Sequence, residues 1–343
     1  MKSRHAFAPI LLLIMLVMVA CSADRCEEEY VPHGYYENGT PIDGYEPLTL
    51  AETDHGYLAM QHILFMNDNL YMRPPFTYRE LETALWIADV LLEMGHSEEA
   101  IEIQQFHVTD VSEIAMLQRI VMFGMDGGRE IREYSQNVIL TIPGHSEQTI
   151  VIGAHYDTVQ YTGASDNASG VALLLESAQR MLYVDNYYTL VYVFFGAEEI
   201  GLFGAHHFVN TLTEAERDNI LFMINADVLF EGSYLLYIAG GYSGIVYMWD
   251  ELAYGMGYSH GIELIAYPRG MGMWMSDHIV FYQNGITAMM LMGMDSFGDS
   301  FNLRVLHSPR DCFHYINAAW PGKMEQNMRA FSLFLEGLLL AEY

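Results

Sequence analysis

The chain has 343 residues, 52% apolar and 17% charged, and its 44 acidic side chains against 15 Lys and Arg give a formal net charge of -29 at pH 7. This composition supports a sizeable buried core and excludes a disordered chain or a polytopic membrane protein. The negative balance excludes a polyanion such as nucleic acid as partner, because like charges repel and no counterions are released on contact. Acidic clusters such as Glu27-Glu28-Glu29 and Glu98-Glu99 read as solvated faces.

Taken in chain order, Lys2 and Arg4 precede an apolar run from Ile10 to Ala20 that is too short to span a bilayer, so residues 1–20 read as a secretory signal. The run ends in Val19-Ala20-Cys21-Ser22, which resembles a bacterial lipobox with Met18 in place of the usual Leu. Cys21 is therefore expected to carry lipid and to become the mature N-terminus; a plain secretory signal cut near Cys21 is the other reading. Either way the protein is expected outside the cytoplasm, as an envelope lipoprotein or a periplasmic or extracellular protein, reaching a membrane only through its anchor. Three cysteines are too few for a disulfide framework. With Cys21 lipidated, Cys26 and Cys312 remain to pair, a point the sequence leaves open.

Residues 21–45, rich in Gly, Pro, Asn and acids, read as the lipid attachment and a flexible tether. Residues 46–343 show no composition break and are expected to form one domain, with a helical part at 46–128 and a catalytic core at 129–343. From about 47 to 103 the pattern is helical, with Leu81, Ala84, Leu85, Ala88, Leu91 and Leu92 as a core-facing stripe and Thr77 with Glu80 as a capping box. Strand-like runs at 137–142 and 149–153 flank Pro143-Gly144 and predict two strands joined by a turn. A helix at 168–182, a strand at 189–195, a helix after Gly201, a strand at 220–225 and a closing helix at 322–340 follow. The alternation predicts an α/β three-layer sandwich: a mixed, largely parallel central sheet flanked by helices.

In open sheets of this kind, functional groups collect at the carboxyl ends of strands. His155 and Asp157 end one apolar run, and an imidazole with a nearby carboxylate suits a zinc ligand with a partner that fixes its tautomer. Asp166 follows in a loop of small residues that opens a helix, where an N-cap is the simpler role. Glu198-Glu199 ends the next strand; adjacent carboxylates there repel and resist desolvation unless cations neutralise them. Asp227 ends the strand after that. The set suits a divalent ion such as zinc.

In order, Gly153-Ala154-His155-Tyr156-Asp157, Ser165-Asp166-Asn167-Ala168-Ser169-Gly170, Glu198 to Ala205, Asn225-Ala226-Asp227, Ser276-Asp277-His278 and His307-Ser308-Pro309-Arg310-Asp311 resemble the zinc aminopeptidase family that also contains glutamate carboxypeptidase-like enzymes, family twenty-eight of the metallopeptidases. The resemblance spans about 137–315 and implies the zinc exopeptidase fold, two Zn2+ ions and a peptide substrate. It implies that Asp166 bridges the ions, with His155 and Asp227 on one and Glu199 and His307 on the other. It also implies Glu198 as general base and Asp157 as the catalytic carboxylate that orients His155. Asp277 and His278 are implied near the site, as partners of the ligands or of substrate. The chain departs from the family at Leu306, where Tyr often stands, and at Cys312, where Thr is frequent.

His206, His207, His260 and His314 read as structural, and the run Met271 to Met275 as core or pocket wall. An aminopeptidase is the leading expectation. A carboxypeptidase or dipeptidase needs basic residues for a substrate carboxylate, and the late candidates are only Arg269, Arg304 and Arg310. A one-zinc glutaminyl cyclase-like acyltransferase is disfavoured by Asn167-Ala168-Ser169-Gly170, and a non-catalytic binding protein by the filled ligand positions. The oligomeric state is not legible.

Overall fold

The computed structural model describes residues 54–107, 132–159, 161–230, 234–239, 244–266, 276–294 and 305–343. The expected signal and tether, with Cys21 and Cys26, and also Arg269, Arg304 and the run Met271 to Met275, lie outside the described residues. No described helix is long and apolar enough to cross a membrane.

Eight strands form one mixed sheet: β1 (Ile101–His107), β2 (Tyr134–Ile142), β3 (Ser146–His155), β4 (Tyr188–Phe195), β5 (Ile220–Ala226), β6 (Tyr234–Ala239), β7 (Leu264–Ala266) and β8 (Ala288–Met294). Their order is β1-β2-β4-β3-β5-β8-β6-β7. The central strands β4, β3, β5 and β8 are parallel; β1 with β2, β2 with β4 and β6 with β8 pair antiparallel, and β6 with β7 pairs parallel. Parallel strands are covered on both faces and read as continuous apolar runs, and these do. Ile150, Ile152, Leu190, Tyr192, Phe194, Phe222 and Ile224 pack on one side, while the intervening Val151, Val193, Phe195 and Met223 pack on the other.

The first side is covered by α1 (Tyr57–Asn69), α2 (Tyr78–Met94), α3 (Ser169–Met181), α6 (Gly244–His260) and α9 (Lys323–Leu340). The second is covered by α4 (Phe203–Thr211) and α7 (His278–Gln283), through Ala205, Phe208, Val280 and Phe281. The short α5 (Glu214–Asn219) leads into β5, and α8 (Phe313–Ala319) precedes α9. The three-layer sandwich is thus present.

Local readings differ in four places. The helical texture ends at Met94 and Ile101–His107 forms an edge strand; its outward Glu102, Ile103 and Gln105 are exposed, so no clean alternation marked it. Pro143-Gly144 does connect β2 to β3, but β4 lies between them. The connection crosses the start of β4, where a Cβ on Gly144 would strike the Tyr188 carbonyl. In α2 the face is rotated: Leu85 and Leu92 are exposed, while Ile87 and Leu91 are in the core. The rotation follows Glu80, whose buried carboxylate accepts from Phe76 N (2.7 Å) and Ser135 Oγ (2.7 Å). Only half of the expected capping box forms, because Thr77 Oγ1 accepts from Glu80 N but Glu80 is engaged elsewhere.

A carboxylate also caps α1 from a distance. The N-cap residue Gly56 has no capping side chain, and Glu176 of α3 accepts from Gly56 N (2.7 Å) and Ala59 N (2.9 Å). Buried first-turn N–H groups need such partners, and Arg180 Nε and Ser332 Oγ complete the Glu176 shell. Helix α1 is thereby fixed to α3, the helix whose first turn follows Asp166.

Candidate metal centre

The candidate site lies at the carboxyl ends of the parallel strands. His155 is the last residue of β3 and pairs in register with Phe195 of β4, three residues before Glu198. Asp227 follows β5 directly. Asp166 sits in the turn before α3, whose path depends on two glycines. Gly163 has φ 65°, and a Cβ on Gly170 would meet the Ala226 carbonyl and the Asn167 amide. Asn167 completes the clamp, donating to Ala226 O (2.9 Å) and accepting from Gly170 N (2.9 Å). Asp311 then fixes the turn, accepting from Ser165 N at 2.6 Å and Asp166 N at 3.0 Å.

These elements bring all five sequence-proposed ligands together. The two carboxylate oxygens of Asp166 face different imidazoles, with Oδ1 3.1 Å from His155 Nε2 and Oδ2 3.1 Å from His307 Nε2. His155 Nε2 is also 3.3 Å from Asp227 Oδ1, and His307 Nε2 is 3.0 Å from Glu199 Oε2. The Glu198 carboxylate lies within 4.8 Å of donor atoms of His155 and Asp227.

Asp157 reaches both the imidazole and the glutamate pair. Its carboxylate oxygens accept from Glu198 N (3.0 Å) and Glu199 N (3.1 Å), while His155 Nδ1 lies 3.1 Å from the Asp157 main-chain carbonyl and 3.6 Å from its carboxylate. Asp157 therefore positions the glutamate pair first and the imidazole second. Asp277 and His278 are wholly buried, and none of their side-chain polar atoms has a hydrogen-bond partner among the described residues. Their neighbour Ser276 donates to Asp227 Oδ2 (2.7 Å) and accepts from Asn225 Nδ2 (2.8 Å).

Arg73 was not anticipated. It is wholly buried beside the site, and its guanidinium donates to the carbonyls of Tyr156, Leu70, Thr162 and Gly163. Its only sequence signal is a lone cation before Pro74-Pro75. Of the histidines read as structural, His206 and His260 are exposed and His207 and His314 half-buried.

Without cations this cluster is electrostatically frustrated. Burial, with Asp277, Glu199 and Asp227 nearby, pushes the Glu198 carboxyl well above the usual carboxylate range despite His155. Burial and Asp166 lift Glu199 to about 7 despite His307. Burial opposes charge on the imidazoles, but the carboxylates prevail: His155 is raised well above its ordinary value by Glu198 and Asp227, and His307 to about 11 by Asp166 and Glu199. Asp166 is correspondingly lowered, its burial outweighed by the two imidazoles. In the absence of cations, protons on these groups would offset the crowded carboxylates.

The donor set fits metal. His155, Glu198 and Asp227 form one group of converging donors, and Asp166, Glu199 and His307 a second. Donors around tetrahedral zinc at bonds of about 2.0–2.1 Å stand about 3.3 Å apart, and the imidazole–carboxylate spacings above match that edge. Asp166 spans both groups. Ser276→Ala is expected to weaken metal binding roughly 10–100-fold, by releasing one oxygen of Asp227 while Glu199 and His307 stay in place. Metal titration by calorimetry checks this, and an unchanged affinity would remove Ser276 from the site.

A sequence model of peptidase family M28 matches residues 137–332. The chain belongs to peptidase family M28. This M28 chain is 29% identical over 175 residues to the aminopeptidase YwaD of Bacillus subtilis, covering 49% of this chain and 37% of that protein. It is 37% identical over 100 residues to a probable lipoprotein aminopeptidase, LpqL, of Mycobacterium tuberculosis, covering 28% of this chain and 20% of that one. The matched part is thus well under half of either relative. Among solved structures, BSAP, a zinc aminopeptidase from Bacillus subtilis, superposes with a TM-score of 0.67 at 17% identity, over 84% of this chain and 96% of that one. A glutaminyl cyclase from Porphyromonas gingivalis superposes with 0.63 at 19% identity, over 83% and 98%. At these identities the likeness speaks for the fold.

Proposed function

We propose that this chain is a two-zinc exopeptidase of the aminopeptidase type, acting outside the cytoplasm on peptides and anchored through lipid on Cys21. One observation carries the reading: Asp166 offers an oxygen to each of two imidazoles that lie in separate carboxylate groups. An N-cap or a single structural ion does not require that arrangement. His155 and Asp227 would hold one ion and Glu199 and His307 the other, with Asp166 shared.

Two divalent cations so held would polarise a peptide carbonyl and lower the pKa of a water molecule. The protein's own groups supply the proton transfers. Glu198 lies beside His155 and Asp227 without belonging to the Asp166, Glu199 and His307 set. A half-buried carboxylate there suits taking a proton from water and returning it to the leaving amine. Asp157 keeps that carboxylate aimed, through the backbone N–H groups of Glu198 and Glu199. Among the described residues, two basic side chains support a free N-terminus over a free C-terminus at the site. Arg73 is bound to main-chain carbonyls, and Arg310 lies 5.7 Å over the Tyr315 ring, so neither is set out to clamp a substrate carboxylate.

The test is hydrolysis of aminoacyl chromogenic substrates by the purified mature chain, before and after chelation and on return of zinc. Release from free but not blocked N-termini, restored with two equivalents of zinc, is expected. The glutaminyl cyclase among the structural neighbours gives the second reading its weight. Ammonia release from glutaminyl peptides with one equivalent of zinc would replace the peptidase by that activity.

A further inference from the structure

Arg73 lies between α1 and α2, on the segment Leu70-Tyr71-Met72-Arg73-Pro74-Pro75. Met72 before it takes a left-handed backbone, φ 55°, which a residue with a Cβ keeps only where its surroundings hold it. Arg73 is wholly buried, and a guanidinium there loses hydration that only acceptors replace. An arginine that merely balanced buried acids would pair with one of them. This one makes no hydrogen bond to a carboxylate among the described residues. Its guanidinium donates to Leu70 O (2.9 Å) just past α1, to Tyr156 O (2.6 Å) next to His155, and to Thr162 O (3.0 Å) and Gly163 O (3.2 Å) ahead of Asp166. Burial draws it down to about 10 against the pull of Asp311, Asp157, Asp166 and Glu199, so it is charged at neutral pH. We propose that Arg73 is a positioning residue for the metal centre, and that its fork of N–H groups sets the places of Asp166 and Glu199.

Two lines of contact carry the effect. The backbone of Arg73 is tied to Thr158 twice: its N–H donates to Thr158 Oγ1 (2.9 Å), and its carbonyl accepts from Thr158 N (3.1 Å). The next residue, Val159, donates its N–H to Glu199 Oε1 (3.2 Å), while Glu199 Oε2 is the oxygen that faces His307. Asp166 is reached through Gly163, whose carbonyl also accepts from Ala168 N (2.9 Å) and closes the turn around Asp166. That approach needs a bare glycine, since a Cβ on Gly163 would stand 2.3 Å from Thr158 Cγ2 and 3.1 Å from a guanidinium nitrogen. His155 is held without this help. It ends β3 in register with Phe195, and Tyr156 donates its N–H to Phe195 O (3.0 Å) and its hydroxyl to Gln136 O (2.7 Å). Loss of the fork therefore falls on the half that contains Glu199 and His307, and spares the half that contains His155 and Asp227. The assignment of an ion to each half rests on the two-zinc reading; the contacts of Arg73 do not.

The experiment is a calorimetric zinc titration of the metal-free, full-length chain as wild type, Arg73→Lys, His307→Ala and the double variant. Lysine keeps the charge but is a point charge on a flexible stem, and cannot reproduce a planar fork on four carbonyls. Arg73→Lys is expected to lower affinity for one ion roughly 10–100-fold, as loss of a group that orients ligands does, and to change the other by less than about twofold. In His307→Ala, where that half is already broken, adding Arg73→Lys is expected to change the remaining affinity by less than about twofold. Equal losses for both ions, or equal losses in the two backgrounds, overturn the proposal, because an arginine that only held the domain together would loosen every ligand alike. Should Arg73→Lys not fold, Thr158→Val takes its place: it removes the acceptor of Arg73 N and leaves the guanidinium where it is. A loss confined to the same ion is expected, and an unchanged affinity overturns the proposal. The number of ions the wild type takes up judges the two-zinc reading by itself. A single ion withdraws that reading, while the cycle between Arg73 and His307 still decides what Arg73 does.

Discussion

If Glu198 is the proposed general base, replacing it by Gln is expected to lower turnover of an aminoacyl substrate by about 10²–10⁴-fold, the usual contribution of such a group, and to leave the two proposed metal equivalents bound. The amide keeps the shape of the side chain and cannot accept the proton of water. The backbone N–H groups of Glu198 and Glu199 still donate to Asp157, so the proposed ligand Glu199 stays where it is. KM changes little, because the lost interaction belongs to the transition state. The metal count decides between two roles for this residue. Glu198 lies close enough to His155 and Asp227 to serve as a third ligand there, in which case the amide variant loses an ion along with the activity. Loss of turnover with full occupancy makes it the base; loss of both makes it a ligand.

The strand ends that carry acids were the most legible part of the chain. A Glu pair or an Asp closing an apolar run has no cheap structural reason in a buried sheet, so position and residue type together marked His155, Glu198, Glu199 and Asp227. The supporting shell was far less visible. Asp311 fixes the Asp166 turn from 145 residues away, and Ser276 holds Asp227 from 49 residues away. No local pattern distinguishes such a Ser or Asp from an ordinary loop residue. The edge strand β1 and the rotated face of α2 were hidden for another reason. Local period is overridden when a single tertiary contact, here Glu80 reaching Ser135, sets which side of a helix turns inward. The crossing of β4 between β2 and β3 is likewise a property of the whole sheet, since a two-residue turn marks a connection and not the partner of the strand that follows.

Asp166→Ala is the substitution expected to cost most, because it removes a proposed ligand from both halves of the centre at once. His155 keeps Asp227 at 3.3 Å and His307 keeps Glu199 at 3.0 Å. Each half is thereby reduced to two of the ligands proposed for it, fewer than the three protein ligands that catalytic zinc sites ordinarily have. Affinity is expected to fall at least roughly 100-fold at each half, beyond the usual effect of losing a partner outside the ligand shell. Turnover disappears with it, and excess zinc does not restore the wild-type rate. Ser276→Ala, which touches only Asp227, serves as the contrast: its loss is confined to one half and is recovered by added metal. The wild-type centre should also load metal better as pH rises. In the metal-free protein His307 is held protonated up to about 11, so an ion entering between pH 6 and 9 must expel that proton. The apparent affinity then gains about tenfold per pH unit for each proton released. In Asp166→Ala that dependence should become shallower, since His307 has lost one of the two carboxylates that held its proton. A wild-type affinity independent of pH over this range would mean that the imidazoles are already neutral, and that the cluster of acids is balanced by something other than the protons assigned to His155 and His307.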